Sequence, residues 1–254
     1  MLEVLQQTSQ VSCVASAVSS VVHDAAQFAA DAFWPPRCAV CDAIGAVLCD
    51  SCRQNLPYID QWKACPRCGA PWGAIQCSEC NSFSLREAGL TTFPLDGCVS
   101  AVLFDAATAR IATVCKDSGE RRLAHDMAFT IACAIPSDWV EGATITFVPS
   151  TRAARLRRGF DHAEELASHV ACFLGVPLAK TITLEHARDQ RGLSRTERLE
   201  NMRMTMQPCA SSVSGRYIIV DDVHTTGATL YAAADILCRK GASAVYGATF
   251  ARVY

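Results

Sequence analysis

Two adjacent acids, Asp221 and Asp222, close the apolar run Tyr217-Ile218-Ile219-Val220 and are followed by Val223-His224-Thr225-Thr226-Gly227-Ala228-Thr229. Ionised carboxylates only accept hydrogen bonds, so a pair of them suits the vicinal hydroxyls of a sugar, held directly or through a hydrated Mg²⁺. The turn after them offers a glycine, the hydroxyls of Thr225, Thr226 and Thr229, and the free backbone N–H groups of a helix start. Together these make a cradle for phosphate. One loop can therefore hold a ribose and its 5′-phosphate at once. The plainer alternative is a strand that ends in Asp-Asp, with an incidental helix cap at Thr225 or Thr226.

Cysteine carries the second chemical signal. Eight of the 15 cysteines form four Cys-x-x-Cys pairs: Cys38/Cys41, Cys49/Cys52, Cys65/Cys68 and Cys77/Cys80. Two intervening residues let both thiolates reach one tetrahedral ion at about 2.3 Å. Four pairs suggest two Cys₄ zinc sites, and Pro66-Arg67 and Gly69 suit a knuckle turn. A disulfide set and an iron–sulfur cluster are the alternatives. The spacing favours metal over the first, and no ferredoxin-like run supports the second. The pairing is sequential (38, 41, 49, 52 and 65, 68, 77, 80) or interleaved, the sequential form being simpler. Four thiolates leave no open position on the metal, so the expected role is folding support without zinc catalysis. A segment of about forty residues with few large apolar side chains needs such a staple. Cys13, Cys98, Cys115, Cys133, Cys172, Cys209 and Cys238 have no partner at ligand spacing and read as small buried apolar residues.

Two segments concentrate guanidinium. The first, from Val148 to Ala163, carries Arg152, Arg155, Arg157 and Arg158; the second, from Arg188 to Asn201, carries Arg188, Arg191, Arg195 and Arg198. The planar fork of arginine matches phosphate oxygens bidentately, so pyrophosphate or a nucleic-acid backbone is the expected contact. A solvated basic face, with Glu197 and Glu200 as local partners, is the alternative, and for the second segment the two readings weigh equally.

These residues need elements to position them. The run before Asp221 is short, β-branched and unbroken by polar residues, which reads as a buried parallel strand. Acids at the C-terminal end of such a strand sit where open α/β sheets bind ligands. From Gly97 onward, strands (near 98–104, 145–149, 217–222 and 244–250) alternate with helices (near 106–115, 121–135, 160–174 and 228–240). That alternation predicts an α/β fold with a parallel sheet. The helix after the Thr-rich turn places Leu230, Ala234, Leu237 and Cys238 on one face, and Gly241 closes it. The first arginine segment follows a strand, so it reads as a second strand-end loop facing the same crevice.

The expected organisation is an amphipathic helix over 1–33, a double zinc module over 34–82 and an α/β domain over 83–254. In the first part, Val14, Val18, Val21, Val22, Ala25, Phe28, Ala29 and Phe33 recur at helical spacing, and Trp34-Pro35-Pro36 stops the pattern. Its polar face carries Asp24 and Asp31 without Lys or Arg, which favours packing or an oligomer contact over a membrane surface. The 254 residues are half apolar, enough for a real core, and the formal net charge of −2 gives no global argument for nucleic acid. No apolar run is long enough to span a bilayer, and the N-terminus lacks a basic region and a clean apolar stretch. With reduced thiols, this predicts a cytoplasmic protein.

The run from Tyr217 to Thr229 resembles the 5-phosphoribosyl-1-pyrophosphate (PRPP) motif of type I phosphoribosyltransferases, with His224 standing where an apolar residue is usual. The order of features resembles more specifically the ComF-type competence proteins, which are amidophosphoribosyltransferase-like and carry a double zinc ribbon on a type I phosphoribosyltransferase fold. The matching pieces are Pro36-x-Cys38-x-x-Cys41 and the pairs after it, Val114-Cys115-Lys116-Asp117-Ser118-Gly119, Arg158-Gly159-Phe160-Asp161-His162-Ala163, Gln190 with Arg198 and Asn201, and Val220 to Thr229. They span roughly 34–254. Ser150-Thr151 after Val148-Pro149 departs from the usual pattern, and Asp161-His162 replaces a common Asn-Gln.

The resemblance implies a parallel sheet with helices on both faces, behind the zinc module and the N-terminal helix. It implies binding of Mg-PRPP: Asp221 and Asp222 on the ribose hydroxyls, Thr225, Thr226, Gly227, Ala228 and Thr229 on the 5′-phosphate, and Ser150, Thr151, Arg152 and Lys116 toward the pyrophosphate. Purine-salvage enzymes commonly have an aspartate base where Thr225 stands. A threonine cannot be that base, so purine salvage is disfavoured. Two functions stay open. One is a binding module handling imported single-stranded DNA, with a competence or DNA-processing protein as partner. The other is an active transferase with an unidentified acceptor. Trp62, Trp72, Phe83 and Phe160 are candidate stacking platforms, though each reads first as packing. The zinc module is not basic, since Arg37, Arg53, Lys63 and Arg67 face Asp42, Asp50, Asp60 and Glu79.

Overall fold

The structure, a computed structural model of the chain, describes residues 35–87, 89–184, 195–209 and 211–254. The expected helix over 1–33 lies outside the described residues. The chain divides into two compact units, one ending at Cys52 and the other running from Arg53 to Tyr254. In the first unit, tight turns bring the backbone back on itself: Cys38 N–H donates to Ala43 O (2.8 Å) and Ala39 N–H to Val47 O (2.9 Å).

The second unit is α/β. Four strands form one parallel sheet: β1 (Gly97–Leu103), β2 (Ala143–Phe147), β5 (Arg216–His224) and β6 (Ala244–Arg252), in the order β1-β6-β5-β2. Strand β5 lies inside the sheet, and its residues Tyr217–Val220 are buried, which is why the sequence there is unbroken apolar rather than alternating. Helices cover both faces. On one side α6 (Ala228–Lys240) brings Leu230, Ala234 and Leu237 against Tyr217, Ile219 and Val245. On the other, α2 (Leu123–Ala134) and α4 (His162–Leu174) pack on each other and on the strands. The strands and helices expected from Gly97 onward are all present, and Gly241, at φ +105, closes α6 as anticipated.

Besides the short helical turns Asp50–Gln54, Ser82–Glu87 and Ser137–Val140, three described elements were not expected. The first arginine segment is not a loop but a helix, α3 (Arg152–Arg158). Thr151 caps it by accepting from Ala154 N–H at 3.2 Å, and Gly159, at φ +81, ends it. The second is α5 (Arg195–Thr205), which packs on α6. The third is a small antiparallel pair, β3 (Ile182–Leu184) with β4 (Met206–Pro208). The cysteines also depart from expectation. Cys98 and Cys115 are buried, but Cys133, Cys172, Cys209 and Cys238 are exposed. Cys133, Cys172 and Cys238 fall on the outer faces of helices and Cys209 follows β4, while Cys13 lies outside the described residues.

Candidate functional site

The sheet creates the site by strand length. Pairing of β2 with β5 ends at Phe147↔Val220, while β6 stays paired with β5 through Asp221↔Thr249 and His224↔Arg252. Asp221 and Asp222 therefore project past the end of β2, beside Val148-Pro149-Ser150. The resulting cleft, of about 320 Å³, is lined among others by Lys116, Ser150, Thr151, Arg158, Asp221, Asp222 and Thr229. That volume lies at the small end of ligand pockets. Thr225, Gly227, Ala228 and Thr229 line an adjoining recess of about 10 Å³. The recess has room for about one water, so a phosphate would lie over the loop's N–H groups rather than inside it.

Two neighbouring segments lock onto the acids. Helix α1 (Ala106–Asp117) starts with a capping box between Asp105 and Thr108 and delivers Lys116 to the cleft. Lys116 Nζ donates to Asp222 Oδ2 at 2.7 Å. Next to it, Asp117 accepts from Arg158 at 2.8 Å, and Cys115 Sγ lies 3.7 Å from His162 Nδ1. Asp161 caps α4 by accepting from Ala163 N–H at 3.2 Å. It also accepts from Ser150 N–H through both carboxylate oxygens at 3.1 Å, which fixes the loop after β2. The segments Cys115-Lys116-Asp117 and Arg158 to His162 are thus stitched residue by residue around one cleft.

The acid pair is electrostatically uneven. Burial pushes Asp221 up, and Asp222 beside it pushes further, to about 8. Burial acts upward on Asp222 too, yet the Lys116 ammonium overrides it and holds Asp222 at about 2. Two close carboxylates share a shortage of positive charge, and the one with the lysine keeps its ionisation. Burial works against the Lys116 charge, but Asp222 more than restores it and raises the group. His162 is 2% exposed and lowered by burial, and its Nε2, 3.8 Å from Asp222 Oδ2, makes no hydrogen bond.

The Thr-rich turn differs from a side-chain cap. Gly227 is the N-cap of α6, in the left-handed region at φ +75, and no side chain caps it there. Thr226 Oγ1 accepts from Ala228 N–H only at 3.4 Å. A Cβ on Gly227 would meet the Tyr231 ring at 2.3 Å, so the position demands glycine for space as well as for φ. Beyond the long Thr226 contact, no side chain caps the helix start.

Of the expected phosphate contacts, Arg158 lines the cleft, with its side chain 10% exposed. Arg152 and Arg157 are exposed and Arg155 half-buried on α3, and none of them lines the cleft. Arg188 and Arg191 lie outside the described residues, and Arg195 and Arg198 fall on α5. Sequence reasoning named no role for His162, Asp161, Leu184 or Met202, although His162, Leu184 and Met202 line the cleft and Asp161 ties its loop. A cap position directly after an arginine-rich helix was the available signal for Asp161 and His162. Nothing in the local pattern pointed to Leu184 or Met202.

The thiols settle the pairing left open above. Cys38, Cys41, Cys49 and Cys52 converge, as do Cys65, Cys68, Cys77 and Cys80, each set with its sulfurs within 4.8 Å of one another. The separations Cys41–Cys49 (3.7 Å), Cys65–Cys80 (3.6 Å) and Cys68–Cys77 (3.5 Å) approach the edge, about 3.8 Å, of a tetrahedron with metal–sulfur bonds of about 2.3 Å. They are far longer than a disulfide bond of about 2.05 Å. Both sets fit Zn²⁺. Three candidate stacking residues are exposed: Trp62 at 94%, Phe83, and Trp72, whose ring meets Tyr254 edge-on at 5.2 Å. Phe160 is half-buried beneath the Arg121 guanidinium, 5.0 Å from its ring centre.

Residues 29–82 match the family model described as a double zinc ribbon domain. No curated protein matches the chain. Among solved structures it is similar to orotate phosphoribosyltransferase from Aeropyrum pernix, at 18% identity and a TM-score of 0.31, over 67% of this chain and 92% of that one. It is similar to purine phosphoribosyltransferase from Pyrococcus horikoshii, at 17% identity and a TM-score of 0.31, over 51% and 82%. It also overlaps phosphoribosylpyrophosphate synthetase from Mycobacterium smegmatis, at 15% identity and a TM-score of 0.26, over 59% and 40%. Overlap at that level says nothing of ligand or reaction. No helix among the described residues is long and apolar enough to cross a membrane.

Proposed function

We propose that the chain is a zinc-ribbon protein that binds PRPP, or a closely related phosphoribosyl ligand, in the cleft at the end of β5. The observation that carries this is the pairing of Asp221 and Asp222 with an uncapped helix start at Gly227, on one loop and beside Lys116. The acids accept from the ribose hydroxyls, the Thr225–Thr229 backbone takes the 5′-phosphate, and Lys116, Arg158 and the Ser150 loop face the pyrophosphate. Two carboxylates beside a phosphate-binding loop suit a hydrated Mg²⁺, which would supply charge neutralisation for the pyrophosphate. Lys116 already neutralises Asp222, so Asp221 is the carboxylate with unspent capacity for ribose or metal.

The biological reading is ComF-like: handling of imported single-stranded DNA, in the cytoplasm, with a DNA-processing protein as partner. The exposed Trp62, Trp72 and Phe83 and the exposed arginines of α3 support it, since stacking faces and guanidinium are what an unpaired strand needs. Salt titration of single-stranded DNA binding tests it, with a steep loss of affinity expected. Unaltered affinity across that titration would count against the arginines.

A second reading is an active transferase, favoured by Leu184 and Met202 on the cleft wall, where an acceptor could lie. Pyrophosphate release from Mg-PRPP, measured alone, with nucleobases and amines, and with single-stranded DNA, separates the two. Release tied to one acceptor makes the protein a transferase. Binding without release makes it a binding module.

A further inference from the structure

The last residue of β6, Arg252, is 1% exposed and is the largest fully buried side chain among the described residues. Its guanidinium faces two places at once. Nη1 donates to Cys68 O at 2.6 Å and to His224 Nδ1 at 2.7 Å, and Nη2 donates to the Glu79 carboxylate. Cys68 is a ligand of the second Cys₄ set, and Glu79 lies between two more, Cys77 and Cys80. His224 ends β5 and immediately precedes Thr225. Its ring meets Tyr231 edge-on at 6.0 Å, and that ring fills the space that only glycine leaves open at 227. We propose that Arg252 joins the second Cys₄ site to the Thr225–Thr229 loop, so that zinc in that site and the phosphoribosyl ligand in the cleft reinforce each other's binding.

The physical argument rests on burial. A buried cation cannot exchange lost partners for water, so its acceptors must stay in place. Cys68 O is aimed by the knuckle, in which Cys65 N–H donates to Ala70 O and Gly69 N–H to Cys65 O, both at 2.8 Å. That knuckle is seated directly on the sheet: Gly69 is at φ +71, and a Cβ there would meet Cys98 O at 2.8 Å. Four thiolates at van der Waals separation stay together only around a cation. Loss of the metal would open the knuckle, withdraw Cys68 O and Glu79 from Arg252, and release the His224 end of the loop. The fork geometry matters, because lysine, as a point charge, cannot reach the imidazole, the carbonyl and the carboxylate together. Arg252 is thus a positioning residue that acts through His224, and this role rests on the phosphoribosyl reading of the cleft.

Coupling of this kind is reciprocal. Zinc transfer from the full zinc-loaded chain to a chromophoric chelator would be timed with and without saturating Mg-PRPP. Alkylation and mass spectrometry would assign each event to the first or second cysteine set. Mg-PRPP is expected to slow zinc loss from Cys65, Cys68, Cys77 and Cys80 by about fivefold or more, and to leave the first set unchanged. Arg252→Lys and the milder change Glu79→Gln are expected to keep zinc bound, lose the protection and weaken Mg-PRPP affinity by a similar factor. Equal zinc release with and without a ligand that the wild-type chain demonstrably binds would overturn the coupling alone. Failure of the zinc-loaded wild-type chain to bind Mg-PRPP would overturn the phosphoribosyl reading and the coupling with it.

Discussion

Raising the pH from 7 to 8 is expected to tighten Mg-PRPP binding about fivefold. Asp221 carries its proton up to about 8 in the free protein, because it is buried and because Asp222, held ionised by Lys116, stands next to it. Ligand binding needs Asp221 as an acceptor, so only the ionised fraction is competent. That fraction is about 0.09 at pH 7 and about 0.5 at pH 8, and apparent affinity scales with it. The ratio corresponds to about 1 kcal/mol, and below pH 7 each further unit costs about tenfold until the ligand's own phosphates begin to protonate near pH 6. The sign follows from the direction of the shift: a group raised in the free protein must release a proton to bind, so affinity rises with pH. Isothermal titration calorimetry in two buffers of different ionisation enthalpy reads both the affinity and the released proton. Asp221→Asn removes the titrating group and is expected to flatten the dependence while weakening binding. Affinity that is flat from pH 7 to 8, with no proton released, would refute the assignment of the proton to Asp221.

Three further outcomes follow from the geometry. Gly227→Ala forces a Cβ to within 2.3 Å of the Tyr231 ring at a left-handed position, and is expected to lower stability by about 1–3 kcal/mol and to weaken ligand binding; chemical denaturation with unchanged midpoint would contradict this. His162 is buried and lowered below its ordinary value, so its contribution to stability is present above about pH 6.5 and is lost as pH falls from there toward the folded-state value. His162→Gln is expected to make stability less steep over pH 5–6.5, and a slope identical to wild type would show that His162 does not titrate on unfolding. Metal analysis is expected to find about two zinc per chain, and removal to lower the thermal midpoint; iron, or fewer than one zinc, would contradict the tetrahedral reading of the thiols.

Strand β5 and the helix after it were legible because their signals are local. A buried strand needs an unbroken apolar run, a phosphate loop needs Gly and hydroxyls at fixed offsets, and Cys-x-x-Cys is set by metal geometry. The sequential thiol pairing was favoured but needed three-dimensional convergence to decide. Helix α3 was missed because its segment follows a strand and so read as a strand-end loop, although Thr151 and Gly159 mark its two ends clearly. The Lys116–Asp222 and Arg252–His224 contacts join residues 106 and 28 positions apart, and no spacing rule reaches across such distances. Arg252 belongs to no motif in the sequence, and only its burial and its contacts give it a role. Trp62, Trp72 and Phe83 were expected to be packing because aromatic rings usually are, but all three are exposed, Trp72 meeting the Tyr254 ring edge-on.

The most direct test of the phosphoribosyl site is calorimetric titration of Mg-PRPP into the zinc-loaded chain, beside the Asp221→Asn/Asp222→Asn double variant at pH 8. The account predicts saturable binding at one site per chain in the wild type and none in the double variant, with both proteins folded and carrying equal zinc. Equal binding by the two proteins, or none by either, would contradict it.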